Sequence, residues 1–198
     1  LNADPAINGL MVQLPAPKQI DADALLERID PNKDVDGLTP ANIGHLWMGN
    51  HFVEPATAEG IIALLKHYEI PLEGKNVVII GRSNIVGKPL AALMLEQNAT
   101  VTIAHSRTKN LGEITKKADV LVSATGQAFL VKADMVKDGA VVVDVGMNHV
   151  DGKLVGDVDF DKVKEKTSYI TPVPGGVGPL TVQFLMEAVV KLTRRQNK

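Results

Sequence analysis

A glycine turn, a basic strand end and an acidic loop carry the residues whose types and spacing could do chemistry. In "NVVIIGRSNIVGKP", Gly81, Ser83 and Gly87 fall between an apolar run and a helical one, where a dinucleotide-binding turn carries G-x-G-x-x-G. Ser83 replaces the second glycine, and the last glycine comes one residue late. The physical use survives. Such a turn provides a tight bend at a strand's carboxyl end, free N–H groups at a helix start for an anion, and Pro89 in the first turn, where no donor is missed. A purely structural turn between strand and helix reads the same way.

The next apolar run, "TVTIA", leads into His105, Ser106 and Arg107, where an NAD-binding fold usually places an acid on the ribose 2′-hydroxyl. No acid is present. Ser106, Arg107 and Arg82 offer donors and positive charge instead, which suits a 2′-phosphate and favours NADP over NAD.

"NKDVDG", Asn32 to Gly37, copies the first half of a calcium loop, but the twelfth position is Ile43 where a bidentate glutamate is needed. The remaining readings are an Asx-type turn or a carboxylate aimed at a ligand. Gln13, a neutral amide after four apolar residues, is either a satisfied strand-end amide or a ligand contact. The five histidines are scattered without metal-ligand spacing, and Ser83 lies outside G-x-S-x-G, so neither a metal site nor a serine nucleophile is expected. In "ITPVPGGVGPLT" six of the eight residues from Pro172 to Pro179 are proline or glycine; stiff proline beside bare glycine backbone suits either ligand contact or a rigid crossover.

The elements that must position these residues follow from hydrophobic pattern. The runs "NVVII", "TVTIA", "DVLVSA" and "AVVVDVG" are apolar without alternation and are separated by helical segments. That predicts a doubly wound α/β fold, a Rossmann-like parallel sheet covered on both faces. Residues 7–13, "INGLMVQ", predict a short buried strand, "DADALLERI" a helix capped by Asp21, "SYITP" a last strand, and the segment after Pro179 a helix with Leu180, Phe184, Leu185, Ala188, Val189 and Leu192 on one face. The domain boundary is expected between Gly37 and Pro55.

Composition bounds the rest. The 198 residues carry 45% hydrophobic content and a net charge of −2, an ordinary globular balance with no call for a nucleic-acid partner. There is no cysteine, which fits a reducing cytoplasm and excludes a thiol nucleophile. No apolar run approaches the ~20 residues of a membrane helix, so a soluble protein is expected. The chain opens without methionine, in what reads as a helix end, and a longer native protein is expected upstream.

Taken together, "NGLMVQLP", "DPNKDVDGLTPANIG", "GRSNIVGKP", "DVGMN", "GDVDF" and "ITPVPGGVGPLT" resemble, in order and over essentially the whole chain, the bifunctional methylenetetrahydrofolate dehydrogenase/methenyltetrahydrofolate cyclohydrolases. The resemblance implies an enzyme of one-carbon metabolism that oxidises 5,10-methylenetetrahydrofolate with NADP and hydrolyses the product to 10-formyltetrahydrofolate. It implies a tetrahydrofolate derivative in a cleft between two lobes, and a homodimer.

By that resemblance residues 1–40 are the end of a folate-binding α/β lobe, 41–171 the NADP-binding domain, and 172–198 a Pro/Gly loop with a helix returning to the folate lobe. Gln13 stands beside the catalytic lysine and Asp36 binds the pterin's amino edge. Gly81, Arg82, Ser83, Ser106 and Met147 hold NADP, and Thr57 contacts cofactor or substrate. Pro174, Gly175 and Gly176 border the nicotinamide and folate. Two departures stand out. "PATAEG" replaces the usual "PCTPxG", and the Tyr-x-x-x-Lys motif that supplies the cyclohydrolase lysine is absent, because Tyr68 and Tyr169 are followed four residues later by Leu72 and Val173. The family carries that motif upstream of "VQLP", so the intact parent is expected to be bifunctional and this chain impaired. The competing expectation is a stand-alone NADP-binding regulatory or scaffold module.

Overall fold

The apolar runs become the strands of one sheet. The computed structural model describes residues 1–197. After α1 (Ala22–Leu26), α2 (Pro40–Trp47) and α3 (Ala56–His67) come β1 (Asn76–Ile80), α4 (Gly87–Glu96), β2 (Thr100–Ala104), α5 (Leu111–Thr115), β3 (Val120–Ser123), a 3₁₀ turn at Ala133–Met135 and β4 (Val141–Asp144). The chain closes with a hairpin of β5 (Asn148–Val150) and β6 (Lys153–Val155), then α6 (Phe160–Val163), β7 (Tyr169–Ile170) and α7 (Val177–Gln196).

The main sheet has the order β2-β1-β3-β4-β7 and is parallel throughout. From β1 the chain steps to β2 on one side, then crosses back to β3 on the other. The strand order therefore reverses between β1 and β3, and ligands of such sheets bind beyond the carboxyl ends at that reversal. Ile80 pairs with both Ala104 and Ser123, so the turns after β1, β2 and β3 leave the sheet side by side.

The expected double covering is present. Val77, Ile79, Val120, Val122, Val141 and Val143 face a core shared with α3 and α4. Their alternate neighbours Val78, Ile80, Leu121 and Val142 face a second core with Ala118, Val131 and Val163. Each such side chain contributes about 1.5–3 kcal/mol of transfer free energy when fully buried, before the entropy of ordering the chain.

Several elements differ from the expectation. Residues 7–13 form no strand; Leu10 makes a single parallel bridge to Asp34, because no further segment among the described residues extends the ladder. α5 spans only Leu111–Thr115, since the chain turns down into β3 directly after it. α7 starts at Val177, two residues before Pro179, whose missing donor falls in the first turn, where no intrahelical partner exists. α2, the hairpin and α6 were not anticipated. Both of the longer misses had local signals: Thr39 caps α2 ahead of Pro40, and Asp151-Gly152, both at positive φ, turn the hairpin.

α7 ties the early segment to the sheet. Leu180 and Phe184 pack over Gly60 of α3, and Ala188 and Leu192 form a small core with Val35 and Val53. At its far end Gln196 donates to the carbonyls of Asn8 and Asn32 at 2.9 and 2.7 Å.

Candidate active site

A cleft of about 690 Å³ lies where residues 11–14 and 36, the starts of α3 and α7, and the carboxyl ends of the strands meet. Gln13, Asp36, Thr57, Met147, Pro174, Gly175 and Gly176 all line it. Seven of the expected residues, drawn from five separate stretches of sequence, thus share one cavity. Gly81, Arg82, Ser83 and Ser106 do not line it. They lie just beyond the carboxyl ends of β1 and β2, and Ile85 and Val86 of the same turn line the cleft.

Asp36 is half-buried, and burial pushes its carboxyl up to about 6, helped by the negative charge of Asp34 and opposed by the backbone N–H of Ala56. A carboxylate so placed accepts N–H bonds readily once a ligand supplies them. Gln13 is exposed, and its amide donates to the adjacent Leu14 carbonyl at 3.2 Å, a local bond that leaves its other hydrogen-bonding positions facing the cleft. Thr57, in the first turn of α3, shares a hydrogen bond of 3.0 Å with Thr181 of α7. That bond fixes the floor where the two helices meet.

The glycine turn is built as its spacing predicted, with one difference. Gly81 has φ +129°, and a Cβ there would run into the Ala124 carbonyl after β3, so bare backbone reaches the point of strand-order reversal. The helix-start donors, however, are not all free. Ser83 Oγ accepts from Val86 N at 3.1 Å and from Gly87 N at 3.4 Å, because a hydroxyl four residues ahead of Gly87, where α4 starts, reaches the N–H groups at the helix entrance. Arg82 and Ser106 stand exposed at neighbouring strand ends.

In the Pro/Gly loop the glycines have local work. Gly175 has φ +100°, and Gly176 passes too close to Pro172 and Thr171 to carry a side chain. Thr171 Oγ1 accepts from Asp144 N at 2.8 Å and anchors the loop to β4. The stretch is thus a stiff crossover that also lines the cleft.

"GDVDF", which carried no expected role, supplies a buried acid. Asp157, fully buried, accepts from Ser123 Oγ, Thr125 N and Oγ1, Gly126 N, Gln127 N and Asn148 Nδ2 at 2.7–3.3 Å. Asp144 accepts from Gly146 N, Asp157 N and Val158 N, each at 2.9 Å; burial pushes its carboxyl up and these donors oppose the shift. The two carboxylates hold the loops after β3 and β4 in shape behind Met147.

Comparison with known proteins decides the family. Residues 55–197 match the tetrahydrofolate dehydrogenase/cyclohydrolase NAD(P)-binding domain, and residues 1–36 match the catalytic domain of the same enzymes. The chain belongs to this family. It is 96% identical over 197 residues to the bifunctional protein FolD of Lactobacillus helveticus, covering 100% of this chain and 70% of that protein. The crystal structure of the FolD enzyme of Campylobacter jejuni superposes with a TM-score of 0.95 at 50% identity, over 98% of this chain and 70% of that one. The FolD of Trypanosoma brucei, solved with NADP cofactor and inhibitor, gives a TM-score of 0.94 at 41% identity, over 100% of this chain and 70% of that one. No helix of the described residues is long and apolar enough to cross a membrane.

Proposed function

We propose that the cleft and the strand ends beside it bind a tetrahydrofolate derivative and NADP, and that they serve oxidation of 5,10-methylenetetrahydrofolate followed, where a base is supplied, by hydrolysis to 10-formyltetrahydrofolate. The observation that carries this reading is the convergence of Gln13, Asp36, Thr57, Met147 and the loop Pro174 to Gly176 on one cavity. A cavity with this folate-side lining has no use in a stand-alone NADP module.

Gly81, Arg82, Ser83 and Ser106 are the residues for the cofactor's phosphates and ribose, with Thr57 and Met147 contributing from the cleft wall. When bound, NADP supplies the hydride acceptor. The fit rests on the bare backbone at Gly81 and on two strand ends that carry arginine and serine where a ribose-binding acid would stand. The T. brucei relative solved with NADP supports the same assignment.

Asp36 holds the amino edge of the pterin, Gln13 flanks the reacting carbon, and the Pro/Gly loop gives a rigid wall of bare backbone against flat rings. Positioning of this kind suffices for hydride transfer. Hydrolysis requires more, because water attacking the methenyl carbon needs a positioned base, worth about 10²- to 10⁴-fold. The titratable side chains among the described lining residues are Asp36 and Asp144, and Asp144 is committed to three backbone donors. The 198 residues therefore keep cofactor binding and show weak or no cyclohydrolase turnover. Spectrophotometric assay of NADPH formation and of methenyl hydrolysis tests this; full hydrolysis by these residues alone contradicts it.

The family resemblance also carries the homodimer and the cytoplasmic location. The two-residue edge strand β7, with Tyr68 and Tyr169 exposed beside it, leaves room for a second copy.

A further inference from the structure

Asp34 is 1% exposed and does not line the cleft. One of its oxygens, Oδ2, accepts from Thr39 N at 2.7 Å and from Asn42 Nδ2 at 2.9 Å, which ties the acidic loop to the first turn of α2. The other, Oδ1, is buried without a hydrogen-bond partner among the described residues. A carboxylate kept in that condition needs a reason, since an unsatisfied buried oxygen is costly. On either side, the backbone of Lys33 and Val35 exchanges hydrogen bonds with Leu10 at 2.6 and 3.2 Å, so the same residue also sets the register between the loop and the segment leading to Gln13. Two residues further on, Asp36 enters the cleft.

We infer that Asp34 is the positioning residue for Asp36: it clamps the loop that carries the Asp36 carboxylate to α2 and sets a fixed negative charge behind it. This rests on the reading that Asp36 holds the folate. The surrounding charges leave Asp34 as the one that acts on Asp36. Lys33 is turned to the carbonyls of Leu1 and Asp4. Ahead of α3, Glu54 is engaged by His51 and Lys191, and in α3 Glu59 is paired with the same lysine. The α7 residues that reach the cleft, Val177, Gly178, Pro179, Thr181, Val182 and Leu185, are uncharged. The charge of Asp34 contributes to the raised proton affinity of Asp36 together with burial. Ligand binding at Asp36 is thereby made pH-dependent in a range where an ordinary aspartate is fully ionised.

The test follows the Asp36 carboxyl by ¹³C NMR titration of the 198-residue chain, the signal assigned by its loss in Asp36→Asn. The wild-type midpoint is expected near 6. Asp34→Asn keeps an oxygen for Thr39 and Asn42 but removes the charge, and the midpoint falls by about half a pH unit or more. An unchanged midpoint in folded Asp34→Asn overturns the electrostatic half. Asn42→Ala takes one donor from Asp34 and keeps its charge; amide exchange at Val35 to Gly37 then quickens about tenfold, and unchanged exchange overturns the clamp. Binding of 5-formyltetrahydrofolate, followed across pH by fluorescence, separates the two layers. If Asp36→Asn binds it like the wild type, the folate reading of Asp36 fails while the NMR and exchange results still decide the role of Asp34.

Discussion

The proposed nucleotide side of the molecule is built on a ladder of parallel strands from Asn76 to Ile170, whereas the proposed folate side, residues 1–37, has one five-residue helix, one bridge and a set of side-chain clamps. On the first side the sheet positions the site: Gly81, Ser106 and Met147 stand where β1, β2 and β4 end. On the second, the segments that carry Asp36 and Gln13 are tied by Asp34 to α2, by Lys33 reaching two carbonyls, and by Gln196 reaching back from α7 to Asn8 and Asn32. The difference teaches where each half is vulnerable. A ladder of many backbone bonds tolerates the loss of one, but a loop held by three or four side chains does not.

The largest effect is expected where the nucleotide side departs from its own rule and relies on a single side chain. Asp157→Ala strands six buried or half-buried donors and is expected to cost about 3–5 kcal/mol, read by urea denaturation. Gly81→Val follows at about 2–4 kcal/mol, because positive φ and the Ala124 carbonyl both oppose a branched side chain; NADP binding is lost in whatever remains folded. A Gly81→Val protein of wild-type melting temperature would show that the turn is looser than the strand ends imply.

On the folate side the sign reverses. The Asp36 carboxyl is raised to about 6 in the folded chain, so the folded state holds its proton more tightly than the unfolded one. Below about pH 4 both states are protonated and the group costs nothing; between pH 4 and 6 a penalty grows, and it is complete above that range. Asp36→Asn is therefore expected to raise stability at pH 8 by about 1–3 kcal/mol and leave it unchanged at pH 3.5, while folate affinity falls about 10- to 100-fold. Thermal melts at the two pH values read the first effect. The smallest change is at the surface: Arg82→Ala or Ser106→Ala lowers NADP affinity about tenfold, leaves NAD affinity alone and does not move the melting temperature.

The same contrast explains what the amino-acid sequence made legible. Unbroken apolar runs such as "VVIIG" and "AVVVDVG" announced buried parallel strands, and the strands then carried Gly81, Ser106 and Met147 to one edge of the sheet. The seven residues singled out by the family resemblance line one cavity. The supposed strand at 7–13 failed because a strand exists only with a neighbour, and among the described residues Leu10 finds a single bridge. The free N–H groups expected at α4 were taken by Ser83, a competition that residue types alone do not arbitrate. Asp157 and Asp34 were invisible for a related reason: an acid that accepts bonds from distant backbone looks, in a sequence, like any surface acid.

Titrating the folded 198-residue chain with NADP and with NAD in a calorimeter tests the central claim most directly, since it asks whether the two strand ends bearing Arg82 and Ser106 recognise the 2′-phosphate. The expected result is saturable NADP binding at least about tenfold tighter than NAD. Equal affinities, or no heat from either coenzyme, would contradict the account.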